Sequence, residues 1–200
     1  IDIDRLRRWI RTCRESHGTP HRKSYFHSPV HPTEIPGFKV INVHQECLSR
    51  LEADNDYLTL SYVWGGKNDV LTTKARLDGF STEGAFKQVV LPKTIRDAID
   101  LTKELGYTYL WIDSLCIVQD DAVEKPGLIA SMGAIYANSI LTIVAATSAN
   151  AESGLSGYRN ASRQSGKPVH ESIAPDLQLG VLPHFAVEYM DCFHATRGWT

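Results

Sequence analysis

A chain of 200 residues holds one domain, or one domain with an appendage, and can bury a core without help from metals or disulfides. Apolar residues make up 42%, and 21 basic against 23 acidic side chains leave a net charge of −2, which excludes a nucleic-acid binder driven by bulk charge. The longest mostly apolar stretch, Ile140 to Ala146, is too short to span a bilayer, so no membrane and no nucleic acid are expected as partners.

The predicted elements begin with a short amphipathic helix over Asp4–Glu15. Leu6, Trp9, Ile10 and Cys13 share one face, and Arg5, Arg7, Arg8, Arg11 and Arg14 cover the rest. Those arginines read as a solvated face, or as a surface for an acidic partner. From His17 to Gly37, prolines at 20, 29, 32 and 36 block helix and interior strand, which predicts a linker or strap and divides the chain into 1–36 and a domain over 37–200. Phe38–Val43 alternates as a strand does. Tyr57–Trp64 (YLTLSYVW) is a β-rich run that stops at Gly65-Gly66. Thr94 reads as the N-cap of a helix, with Asp97 completing a capping box, and Gly106 ends it. Tyr107–Asp113 is the next strand, and Ser114–Asp121 a polar loop. A helix follows over Glu124–Ala137, with Ile129, Met132, Ile135 and Tyr136 as its inner stripe. Ile140–Ala146 is a third apolar strand, and Leu177–Leu182 a last one in a loop-rich tail. Strand, helix, strand, helix, strand predicts an α/β fold: a parallel sheet flanked by helices, with the three apolar runs as interior strands.

Four scattered cysteines, at 13, 47, 116 and 192, form no CxxC pair, so a reducing, cytoplasmic setting is expected, with no disulfide. Cys13, His17 and His21 fall at i, i+4 and i+8, but Gly18 and Pro20 end the helix between them, so no metal is expected. The chain opens at Ile1 without a Met or a signal peptide and reads as a piece of something longer.

Ligands of open parallel sheets collect beyond the carboxyl ends of the strands. That rule selects Tyr62, Trp64, Gly65 and Gly66 after the first strand, Asp113, Cys116, Gln119 and Asp120 after the second, and Ala146 to Ser148 after the third. Asp113 is either a tuned acid or a cap on the loop that follows it. Asp120 is open between a catalytic role and support of the next helix; Asp121 and Glu124 complement that helix's dipole. Cys116 as a nucleophile needs a base, yet no histidine lies between His44 and His170, so a buried structural thiol is the better reading. Trp64 can stack on a planar ring or belong to the core. Gly65-Gly66 can offer amides to a phosphate or simply turn the chain.

The run LSYVWG, then LPKTIRDAIDLTKELGYTYLWIDSLCIVQDD, MGAIYANSILTIVAA, SGLSG and the closing RGWT resembles the HET (heterokaryon incompatibility) domain of filamentous fungi, over about Phe38 to Thr200. The resemblance implies an effector of regulated cell death in fungal non-self recognition, acting alone, as a homo-oligomer or with an NLR-type receptor. It also implies a distant kinship with TIR domains and their flavodoxin-like sheet, some of which cleave NAD with a glutamate. By that analogy Asp113 or Asp120 would stabilise the positive charge developing on the ribose, and Tyr62 or Trp64 would stack a base, with Gly65, Cys116 and Gln119 around it. NAD would be the substrate, and no cofactor is called for. This sequence departs from the family pattern at Leu128, where Gln or Glu is common, and it stops at Thr200, before the Gln-Glu pair that usually follows RGWT. The alternative is a non-enzymatic module that self-associates or binds a partner.

Overall fold

The computed structural model of the chain describes residues 1–16, 30–52, 55–66, 70–159, 169–181, 192 and 195. His17, His21, most of the Pro/His-rich segment, Leu182 and the closing RGWT lie outside the described residues.

The three apolar runs become β3 (Tyr57–Ser61), β4 (Tyr109–Trp111) and β5 (Leu141–Val144). β3 pairs in parallel with both β4 and β5, placing Leu58 beside Leu110 on one side and Leu141 on the other. Burial on both faces accounts for their continuous apolar sequence, and Leu58, Leu60, Leu110 and Trp111 are all fully buried. Two expectations need correction. The sheet is mixed, because β1 (Val40–Asn42) pairs antiparallel with β4 and carries β2 (Cys47–Ser49) as a hairpin, giving the order β2-β1-β4-β3-β5. β5 is therefore an edge strand, and Val144 on it is 41% exposed. A hairpin needs only a short turn, here Val43–Glu46, and adds to a parallel sheet without a crossover helix.

Helix α1 (Ile3–Ser16) lies on α4 (Lys93–Leu105), with Leu6 and Ile10 half-buried and no residue fully buried. Between β3 and β4 come α2 (Lys74–Phe80), α3 (Ala85–Gln88) and α4. Gly106 does end α4, in the left-handed conformation at φ +90°. The expected capping box is absent. α4 starts two residues earlier, with Pro92 at the cap, and Thr94 and Asp97 are spent on another segment. Thr94 Oγ1 accepts from Gly154 N at 3.0 Å, and Asp97 Oδ2 accepts from Leu155 N at 2.9 Å.

The polar loop after β4 contains a single helical turn, α5 (Asp113–Cys116). The long helix expected after it is two, α6 (Glu124–Ala130) and α7 (Met132–Ala137), broken at Ser131. Pro126, Gly127 and Gly133 weaken a continuous helix here. The break also moves the buried stripe: Leu128 is 1% exposed, whereas Ile129 is 45% exposed. β6 (Val169–Ala174) and β7 (Leu177–Val181) form a separate antiparallel hairpin.

Candidate functional site

The parallel strands fix where a crevice must lie. From β3 the chain crosses to β4 on one side, and from β4 it crosses back past β3 to β5 on the other. Right-handed crossovers in opposite directions carry their helices to opposite faces, so the connections part at the carboxyl ends of β3 and β4. Trp64 follows the first of these strands and Asp113 the second. The Trp64 indole N–H donates to both Asp113 carboxylate oxygens, at 3.1 and 3.0 Å, and so ties the two strand ends together.

Asp113 is 8% exposed. Its Oδ1 also accepts from Ser114 N at 2.8 Å, so the carboxylate supports the turn that opens α5 as well as the indole. Tyr62 is 1% exposed, and its hydroxyl donates to Ser114 Oγ at 2.8 Å. That ring is packed in the core and offers no face for stacking. Trp64 is half-buried and keeps part of its surface at the rim. Gln119 Nε2 donates to the Asp113 and Ile117 carbonyls at 3.0 and 3.1 Å, closing the loop on itself. Tyr62, Trp64, Asp113 and Gln119 thus form one connected cluster. Ser114, which sequence reasoning missed, is the hydroxyl that joins its two halves.

The remaining expected residues sit apart from that cluster or serve it indirectly. Gly65 takes φ +80°, and a Cβ there would lie 2.7 Å from the Asn150 side chain, so glycine lets the first strand's turn meet the segment after β5. Asp120 is exposed and accepts from Lys74 N at 2.8 Å, which caps α2 from across the loop, because Thr73 makes no side-chain cap. Asp121 accepts from Val123 N and Glu124 N; these two bonds hold its carboxyl below the ordinary value and give it the expected place at the start of α6. Cys116 lies beneath the cluster, fully buried, and burial pushes its thiol up to about 12. A thiol so desolvated stays protonated and is a poor nucleophile.

A recess of about 740 Å³ opens at the same end of the sheet. β1 runs antiparallel to β4, so its first residues lie beside the end of β4. Lys39, Leu51, Asp78 and Glu124 are among its walls, with Lys39 Nζ bonded to Gly37 O at 2.9 Å and paired with Glu124 at 3.4 Å. The volume is that of a small-molecule site. Among the described residues no group of three or more His, Cys, Asp or Glu side chains could hold a metal ion.

The model of the heterokaryon incompatibility protein (HET) family matches residues 57–200. The chain belongs to the HET family. No curated protein and no solved structure matches it. The HET match starts at Tyr57, the first residue of β3, rather than at Phe38. The parallel strands and the Trp64–Asp113 cluster therefore lie inside the HET domain, and the β1–β2 hairpin that makes the sheet mixed lies outside the matched residues. HET domains are associated with fungal heterokaryon incompatibility.

Proposed function

We propose that this HET domain is the effector of cell death in fungal non-self recognition and that it acts as a folded signalling module, through self-association or an NLR-type receptor partner. Family membership supports the effector role. The observation that carries the module reading is the bonding of Asp113. Its carboxylate accepts from the Trp64 indole and the Ser114 amide, which is what a structural latch between two strand ends requires. With a donor on each oxygen, the carboxylate is fixed in place between the two strand ends. Cys116, the other reactive type in the loop, is inert by burial.

A second reading, NAD hydrolysis, draws on the position of the cluster. The half-buried Trp64 ring stands beside a carboxylate at the switch point of a parallel sheet, with a ligand-sized recess at the same end. In that reading Asp113 stabilises the developing oxocarbenium charge, and Trp64 stacks on a base. Asp120, turned onto α2, has no part in it.

Expression of the chain in a filamentous fungus, with viability and cellular NAD followed together, tests the proposal. The module reading expects death with NAD falling only as cells die. NAD falling ahead of death, with nicotinamide released by the purified chain, would replace it by the second reading. A viable culture expressing folded protein would remove the effector role.

A further inference from the structure

Helix α1 carries five arginines against Asp4 and Glu15, and nothing in the latch or the sheet uses them. All five are exposed, but they are not equivalent. Arg7, Arg11 and Arg14 fall at i, i+4 and i+7, one stripe of the helix, and line a cavity of about 290 Å³ where α1 meets the end of α4. Ile10 and Leu105 give it apolar surface, and Tyr107 and the carboxylate of Glu15 line it as well.

Two of the guanidinium groups are held in place by neighbours. Arg7 donates to the Glu104 carbonyl, one of the terminal carbonyls of α4, and to Asp4 at 3.1 Å. Arg14 pairs with Asp56 at 2.7 Å. Arg11, between them, is exposed and makes no salt bridge among the described residues. Like charges along one helix stripe repel one another, and Arg11 adds to that repulsion. Arg5 and Arg8 lie on the outer side of the helix and do not line the cavity.

We propose that this cavity binds a small phosphorylated anion, one or two phosphoryl groups in size, with Arg11 as the principal contact and Arg7 and Arg14 as anchored walls. Guanidinium forks match phosphate oxygens in pairs, and anchoring two of the three in advance lowers the cost of ordering them around a ligand. The volume suits a diphosphate and is too small for a folded partner's surface. The site is separate from the Trp64–Asp113 cluster and does not depend on how that cluster works.

The test is titration calorimetry of the chain with inorganic pyrophosphate, set beside two variants of equal charge, Arg11→Glu and Arg8→Glu. The expected result is saturable one-to-one binding to the unaltered chain. Arg11→Glu should weaken it by about tenfold or more, the worth of one charge-assisted contact, while Arg8→Glu should leave it within about twofold. Both positions are exposed, so both variants should melt as the unaltered chain does, and Arg11→Gln serves as a second variant if they do not. Equal weakening by Arg11→Glu and Arg8→Glu would mean attraction to bulk helix charge and would overturn the proposal. So would the absence of saturable binding.

Discussion

Cys116 and Cys13 show how place decides chemistry for one residue type. Cys116 is fully buried with its thiol pushed up to about 12, whereas Cys13 is exposed on α1. Alkylation of the native protein with iodoacetamide should therefore label Cys13 and spare Cys116 until denaturant is added; mass spectrometry of the peptides reads the difference. Glu46 is a buried acid held by two cations. It is 5% exposed, sits at φ +50°, and pairs with Arg96 at 2.7 Å and Lys103 at 2.5 Å, both from α4. Burial alone would raise its carboxyl, but the bonds from Lys103 and Arg96 outweigh it and hold the group below the ordinary 4.5. A folded value below the unfolded one means that folded protein binds fewer protons. The stability from Glu46 is then fully present above about pH 4.5 and is lost as pH falls through the folded value. Glu46→Gln should cost about 2 kcal/mol at neutral pH and flatten that acid limb in a series of thermal melts.

At the scale of elements, the three apolar strands, the stop at Gly106 and the helix over Asp4–Glu15 were legible in the sequence because each is fixed by local pattern: unbroken apolar runs, a glycine where φ must be positive, and a 3.6-residue period. The hairpin edge was not legible, because Phe38–Val43 alternates in the same way whether its neighbour runs parallel or antiparallel. Thr94 and Asp97 misled for a similar reason. Their spacing suits a capping box, but the donors they accept from, Gly154 N and Leu155 N, lie 60 and 58 residues on. In the candidate site, the position of Asp113 at the strand end could be read. Its bond to Trp64 could not, since it links two segments that meet only when the sheet forms. Gly154 is a place where the segment after β5 packs closely on α4. It holds φ +77°, and a Cβ there would stand 2.5 Å from Lys93 Nζ and 2.8 Å from Asp97 Oδ2. Gly154→Ala should lower stability by more than about 1 kcal/mol in urea unfolding, through backbone strain and loss of the bonds to α4.

For the whole molecule, the HET domain is organised around one latch, the carboxylate of Asp113 held between Trp64 and Ser114 where β3 and β4 end. The variant Asp113→Asn puts the most direct question to it. The substitution keeps the shape and leaves Oδ1 to accept from Trp64 and Ser114, but it removes the charge and turns the second acceptor into an NH2 donor facing the indole N–H, at an expected cost of about 1 to 2 kcal/mol. The decisive measurement is fungal cell death caused by this variant, scored against temperature and compared with its melting curve. If the carboxylate is a latch, the melting temperature falls, and killing falls with the folded fraction and returns on cooling. A variant that melts like the unaltered chain and yet no longer kills at any temperature would contradict the latch and make Asp113 a catalytic residue.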